Sequence, residues 1–339
     1  PEGDVIFPLR LGTLALYGAD PLEGEHVECR ITVKELKRSR VLVDAELVGP
    51  SGRVWIRITD WEDWRFYWPG RYRDHLRSPN GVLVGTVLEL AGASDSQRSG
   101  LKAVWLEPPA DFGRPVWRDV LEWIDLGPPE RAALRAEGGA ESRRTQRLWG
   151  RVAAKEAVRR LWLDRGEPPV YPADLVIEAD ERGKPRMRFV AEPQGPALPA
   201  ISIAHTDGVA VALAALDPEA RVGIDVERIE ERSVGFEAKA FSASERALLD
   251  LLPSPRSAWV ARFWCAKEAV AKVTGFGLMG DPANVEIVKA EAHDGSLNVR
   301  LGPKLANACP ALAGACLKVY SQRRGDYVWA WTIAEGAQP

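Results

Sequence analysis

Two short runs hold ionisable residues inside otherwise apolar sequence. The first, Val222-Gly223-Ile224-Asp225-Val226-Glu227, alternates: Val222, Ile224 and Val226 fall on one side, Gly223, Asp225 and Glu227 on the other. That is strand periodicity, and it sets the two carboxylates on one face roughly 6.5–7 Å apart. Like charges at this spacing repel, and acidic residues are depleted from strands, so something positive is expected between them. A divalent cation with oxygen ligands is the simple solution, since Mg²⁺ typically takes one or two carboxylates together with substrate phosphates. The second run, Arg262-Phe263-Trp264-Cys265-Ala266-Lys267-Glu268-Ala269-Val270-Ala271-Lys272, reads as helix and places Glu268 and Lys272 on one face. Taken alone, that pair reads as an ordinary surface ion pair.

The elements that must position these groups belong to a chain of 339 residues, long enough for two or three domains. It is 46% hydrophobic and 27% charged, with 45 Lys plus Arg against 48 Asp plus Glu and a formal charge of −3. This is the composition of a folded protein, without the basic excess of a nucleic-acid binder or a polybasic membrane contact. Cys29, Cys265, Cys309 and Cys316 match no zinc spacing, and neither a transmembrane run nor a signal peptide is read, so a reducing, cytoplasmic setting is expected. The chain opens at Pro1 without a methionine and reads as part of a longer polypeptide.

In residues 1–126, Val27 to Val33, Val41 to Leu47 and Val54 to Ile58 approximate period-two alternation, with Gly49-Pro50-Ser51-Gly52 as a turn. Val82 to Leu90 and Leu101 to Leu106 add two strand candidates. The expectation is antiparallel sheet with one face covered. The dense tryptophans of this part read as packing or interface surface, and no catalytic set emerges. Gly127-Pro128-Pro129-Glu130 marks the expected seam. From Pro128 to about Leu163 the residues favour helix, with a dip at Gly138-Gly139. Ala154-Lys155-Glu156-Ala157-Val158 then recurs as Ala266-Lys267-Glu268-Ala269-Val270, which predicts two related α+β halves, at about 127–215 and 216–336, with a ligand cleft between them. Because only the second copy has strand carboxylates beside it, Lys155 and Glu156 are read as structural.

Two resemblances follow. From Phe7-Pro8-Leu9 through Gly52, then Trp61-Glu62-Asp63-Trp64-Arg65-Phe66 and a Pro-Gly, the first part resembles the C-terminal half of a polyketide-synthase dehydratase domain, a double hotdog fold. That family's catalytic histidine and aspartate would lie in stretches before Pro1 and are placed on no residue here, so this part is expected to be non-catalytic. The second part is similar to the 4′-phosphopantetheinyl transferases of the larger, pseudo-twofold class. The motifs that carry the likeness are Gly183-Lys184-Pro185, Ile203-Ala204-His205-Thr206, Gly223-Ile224-Asp225-Val226-Glu227, Phe241-Ser242-Ala243-Ser244-Glu245 and the run from Phe263 to Lys272. The implied fold class is α+β, a hotdog-like sheet region (1–126) followed by a pseudo-twofold transferase (127–336).

The resemblance implies Mg²⁺-dependent transfer of the 4′-phosphopantetheine arm of coenzyme A to a serine of an acyl carrier domain, releasing 3′,5′-bisphosphoadenosine, within a polyketide or related lipid synthase. It implies Asp225, Glu227 and Glu268 as metal ligands and Lys272 beside the reacting phosphate. Lys184, His205 and Thr206 would then hold the nucleotide, and Glu227 or Glu268 would be the base. Ala204 stands where the family usually has serine, and Ala266 where it has threonine. Arg143, Arg144, Arg147 and Arg151 fall in the region of the family's basic nucleotide-binding residues without individual matches. Phosphoryl transfer asks for charge neutralisation and positioning, both suited to acids, a metal and lysines. The rival readings are a docking module that binds carrier domains or coenzyme A without transfer, and a dehydratase fragment with a passive second part. Thr274 to Gly280 reads either as a flexible carrier-contacting loop or as a plain connector.

Overall fold

The computed structural model describes residues 4–67, 70–109, 115–136, 140–191 and 195–334. The Gly138-Gly139 dip, Trp68 with Pro69 of the Pro-Gly, and the chain end at 335–339 lie outside them. The chain divides into two compact units, Pro1–Arg77 and Ser78–Pro339.

In the first unit, β1 (Asp4–Arg10), β2 (Thr13–Leu16), β3 (Glu28–Lys37), β4 (Arg40–Val48) and β5 (Val54–Tyr67) precede α1 (Gly70–Arg77). The strands form one antiparallel sheet in the order β1-β5-β4-β3, with β2 also paired to β5. β5 serves two partners because it bends at Asp60, which adopts a positive φ of 52°: β2 runs along Ile56–Thr59 and β1 along Glu62–Tyr67. The expected turn at residues 49–52 closes β4 onto β5, with Gly49 N donating to Arg53 O at 3.0 Å. Along β4 the alternation buries Val41, Val43 and Ala45 on one face.

The second unit begins with β6 (Thr86–Leu88), α2 (Asp95–Gly100), β7 (Leu101–Leu106), α3 (Pro115–Asp125), α4 (Pro128–Ala136) and α5 (Glu141–Leu163). It continues with the hairpin β8 (Leu175–Ala179) and β9 (Pro185–Phe189), then β10 (Ala200–Thr206), β11 (Val209–Ala215) and β12 (Arg221–Arg228). Next come α6 (Val234–Ala240), α7 (Ala243–Asp250), α8 (Arg256–Thr274), β13 (Val285–Ala290), β14 (Ser296–Leu301), α9 (Pro303–Ala308), β15 (Cys316–Arg324) and β16 (Tyr327–Ala334). The division between units therefore falls some way before the seam anticipated at 127–130. β7 explains why: its apolar run pairs antiparallel with β11, Leu106 opposite Ala210, and is buried at five of its six positions. A strand completed by residues a hundred positions later cannot be assigned to its sheet from local pattern.

Two sheets result, β10-β11-β7-β6 and β12-β16-β15-β14-β13. α5 packs on the first and α8 on the second. Their apolar faces share one core that includes Trp105, Val211, Leu213, Ile224, Trp329 and Trp331. The repeated pentapeptide marks a repeated packing device. Lys155, fully buried on α5, donates to Glu130 and to Asp125 O, while Glu130 Oε1 accepts from Ile177 N at 2.9 Å. Lys267, fully buried on α8, donates to Glu245 Oε2 at 2.8 Å and Pro282 O at 3.0 Å, while Glu245 Oε1 accepts from Ile287 N at 2.9 Å. In each half a buried lysine joins the long helix to an acid, and the acid joins a short helix to the next strand.

Among the described residues no helix is long and apolar enough to cross a membrane, and the four cysteines are free thiols.

Candidate active site

β12 presents Asp225 and Glu227 towards α8, and the residue that permits this is Gly223. A Cβ at Gly223 would lie 2.0 Å from Ala269 O of α8, so only glycine lets strand and helix approach this closely. One turn on from Ala269, Lys272 Nζ donates to Asp225 Oδ1 at 2.8 Å and to Ile224 O at 2.9 Å. α8 ends there because Gly275 takes the left-handed conformation, φ 74°, its N–H closing on Ala271 O and Lys272 O. The two halves are tied at this level by Ser202 of β10, whose buried Oγ accepts from Ile224 N at 3.1 Å.

An open cleft runs along this junction. One part, about 250 Å³, is lined by Lys184 and Pro185 of the β8–β9 hairpin, Ser202 and Ile203 of β10, and Glu268, Ala271 and Lys272 of α8. A second part, about 400 Å³, shares Gly183, Pro185, Ile203 and Lys272 with the first and extends to Arg147 and Arg151 of α5, His205 and Asp225. The fold thus brings Lys184, His205, Asp225, Glu268 and Lys272 together around one space. Thr206 follows His205 on β10 but lines neither part. Glu227 lies beyond Asp225, where Arg232 Nη2 donates to its Oε2 at 3.0 Å.

The electrostatics show acids crowded without enough countercharge. Burial raises the Asp225 pKa, opposed first by Lys272 and then by weaker pulls from the Cys265 thiol and the Val226 N–H. Its Oδ2 is buried without a hydrogen-bond partner of good geometry. Glu227 is pushed up to about 7, by burial first and then by the charge of Asp225, with Arg232 opposing. Glu268 is raised by burial and by Asp225. On the basic side, burial lowers Lys184, helped by Arg186 and Arg221. His205 is lowered by partial burial of its ring, then by the positive charge of Lys272, although the residue as a whole stays exposed. An acid cluster facing a basic rim suits a ligand rich in phosphate together with a cation. Among the described residues no three His, Cys, Asp or Glu side chains converge tightly enough, as they stand, to hold a metal ion.

Some assignments need the structure. Arg147 and Arg151 reach the cleft, whereas Arg144 turns away to bond both oxygens of buried Glu122 at 2.6 and 2.7 Å. The i,i+4 spacing of Arg147 and Arg151 was the available signal. Arg232 carried no signal beyond its charge. Glu156, the counterpart of Glu268, accepts from Val84 N at 2.7 Å and Gly85 N at 2.6 Å, a structural use. The loop after α8 is packed: Phe276, Leu278 and Met279 lie against the core, and Thr274 Oγ1 donates to Ala271 O.

Residues 221–331 match the family model described as the 4′-phosphopantetheinyl transferase superfamily. No curated protein matches the chain. Among solved structures, the chain is similar to holo-[acyl-carrier-protein] synthase (AcpS) from Neisseria meningitidis, at 21% identity over 34% of this chain and 96% of that one, with a TM-score of 0.29. It is also similar to a holo-(acyl-carrier-protein) synthase from Bacillus anthracis str. Ames in complex with CoA (3′,5′-ADP), at 26% identity over 34% of this chain and 93% of that one, with a TM-score of 0.27. The stretch that matches the 4′-phosphopantetheinyl transferase superfamily model, towards the C-terminal end of the chain, is the one that holds Asp225, Glu227, Glu268 and Lys272.

Proposed function

We propose that the cleft transfers the 4′-phosphopantetheine group of coenzyme A to a serine of an acyl carrier domain, with 3′,5′-bisphosphoadenosine as the leaving group. The observation that carries this reading is the crowding of Asp225, Glu227 and Glu268 beside Lys272, inside the segment that matches the superfamily.

The donor set fits a hard divalent cation: carboxylate oxygens only, one of them a buried and unpartnered Oδ2, with mutual repulsion raising the acids. Asp225 and Glu268 would hold Mg²⁺, with Glu227 either a third ligand or the base; the ion when bound would supply neutralisation of charge on the pyrophosphate. The chain's own groups do the rest. Lys272, fixed by Asp225 and Ile224 O, is oriented towards the cleft to meet charge developing on the transferred phosphate. Lys184, His205, Arg147 and Arg151 line the wall on which the nucleotide phosphates would rest. The serine hydroxyl of the carrier loses its proton to Glu227 or Glu268, directly or through water. The first unit, Pro1–Arg77, is read as a hotdog-like remnant that tethers the transferase within a polyketide or related lipid synthase, with the carrier domain in the same polypeptide or a partner subunit.

The test is to incubate the protein with coenzyme A, Mg²⁺ and a panel of apo carrier domains and to follow intact mass. A carrier that gains one phosphopantetheine group, with the gain lost in Asp225→Ala and on chelation of Mg²⁺, is the expected result. Folded protein that binds coenzyme A yet modifies no carrier would overturn the reading in favour of a docking module.

A further inference from the structure

The turn that joins β8 to β9 is held by Asp180, whose Oδ1 accepts from Arg182 N and Lys184 N, each at 2.9 Å. Its Oδ2 lies 3.7 Å from Arg186 Nε, so this carboxylate is committed to the turn and to one arginine. Beside it lies a polar cavity of about 140 Å³, lined by Arg182, Lys184 and Arg186 from the hairpin, Arg221 from the first position of β12, and Glu219. Four cations thus face two carboxylates.

Three of the four cations have no anionic partner. Arg182, Lys184 and Arg221 form no ion pair among the described residues. Arg182 stacks 4.5 Å over the Phe276 ring, and Arg221 donates to Cys309 Sγ at 3.4 Å, a weak acceptor. A guanidinium presents five donors in a fixed fork that matches phosphate oxygens, and this one is half-buried with a thiol for company. The like charges are felt: the Lys184 ammonium is disfavoured by burial first, then by Arg186 and Arg221, with Asp180 and Glu219 opposing. A cavity of about 140 Å³ lies well below the roughly 300–1,000 Å³ of pockets that enclose whole small molecules, and suits a single tetrahedral oxyanion. Arg182 and Lys184 also line the cleft, so the two spaces adjoin.

We propose that the cavity between Arg182, Lys184, Arg186 and Arg221 is a phosphate subsite outside the acid cluster. Its occupant is either free inorganic phosphate or a phosphomonoester at the end of the nucleotide held in the adjoining cleft. The second source rests on the transfer reading; the first does not.

The experiment is calorimetric titration of the full chain with inorganic phosphate, coenzyme A and 3′-dephospho-coenzyme A, using wild type, Arg221→Gln and the exposed-site variant Arg182→Gln. Wild type should bind phosphate, and Arg221→Gln should weaken it by about tenfold, the loss expected for one charge-assisted hydrogen bond. If the nucleotide supplies the phosphate, wild type prefers coenzyme A to its dephospho form, both variants erase the preference, and Arg221→Gln leaves dephospho-coenzyme A binding as before. If the free ion is the occupant, the variants weaken phosphate and leave the preference unchanged. Wild type that binds phosphate through Arg221 but neither nucleotide would sink the transfer reading and leave the subsite standing. The proposal fails if neither variant changes phosphate binding or the preference. It also fails if both nucleotides weaken equally with phosphate unaffected, since Arg221 would then serve only the fold.

Discussion

Gly223→Ala puts the proposed arrangement under the sharpest test, because it adds one carbon at the contact that brings β12 and α8 together. The new Cβ would lie 2.0 Å from Ala269 O, 2.9 Å from its carbonyl carbon and 3.0 Å from Val273 Cγ2. Two of these atoms are backbone in the middle of a helix and cannot rotate aside. Relief to an ordinary contact means moving helix and strand apart by about 1 Å or more, and overpacking of this kind costs roughly 1–3 kcal/mol, with a rigid contact at the upper end. At about 3 kcal/mol the melting transition of the second unit should fall by roughly 6–12 °C. The same shift separates Asp225 on the strand from Glu268 and Lys272 on the helix. Because misplacement by about 1 Å can cost on the order of 10²-fold in rate, transfer should fall by that order even below the new melting temperature. Gly275→Ala is the control: its φ of 74° is strained for alanine, but nothing lies within 4 Å of the added carbon. It should cost about 1 kcal/mol and leave the distance between Asp225 and Lys272 unchanged. Carrier modification followed by mass, with thermal unfolding of the same samples, measures both quantities. A Gly223→Ala protein with wild-type melting and activity within a few-fold would refute the reasoning.

Two further outcomes are expected. Lys267→Met leaves Glu245 buried without its ammonium partner and should destabilise by about 3–5 kcal/mol in urea unfolding, whereas Lys267→Met with Glu245→Gln, which removes the uncompensated charge and still accepts from Ile287 N, should recover much of the loss. Glu268→Gln should lower transfer by about 10²-fold or more with little change in stability, while Glu156→Gln, which weakens acceptance from Val84 N and Gly85 N, should cost about 1–3 kcal/mol and leave transfer intact.

How far the site could be read in advance varies with the range of the interactions. Asp225, Glu268 and Lys272 were legible because strand alternation and i,i+4 spacing are local, and the structure places all three at one cleft. Lys184 and His205 offered only weak local signals, a lysine on a turn and a histidine at a strand end, and the resemblance gave them a role. They line that cleft because a hairpin turn and a strand end happen to face α8 across it, which no local pattern states. Thr206, the last residue of β10, lines neither part of it. The partner of Lys267 lies 22 residues earlier and the partner of β7 about a hundred later, so neither the buried ion pair nor the true extent of the second unit shows in the neighbourhood of the residues concerned. A quieter signal was available. Pro172-Ala173-Asp174-Leu175-Val176-Ile177 follows the first pentapeptide much as Pro282-Ala283-Asn284-Val285-Glu286-Ile287 follows the second, and each segment ends on the isoleucine N–H that the buried acid binds.

The two halves therefore keep the same frame and differ in what faces the cleft. In both, a buried lysine on the long helix and a buried acid hold the parts in register, so the frame itself is insensitive to which half is considered. The residue after that lysine then separates them. Glu156 turns to two backbone N–H groups and is satisfied, while Glu268 lines open space beside Asp225, raised by it and by burial. A carboxylate consumed by backbone donors has little charge left to offer a ligand, whereas one that repels its neighbour gains by binding a cation. The first half contributes the opposite charge, with Arg147, Arg151 and Lys184 on its side of the cleft, and His205 beside them as a hydrogen-bonding group. Acids on one wall and bases on the other give the cleft a direction. On the proposed reading, a phosphate-rich ligand would lie along the basic wall with its reacting end at the acids and Lys272, which is the order of tasks that phosphoryl transfer requires.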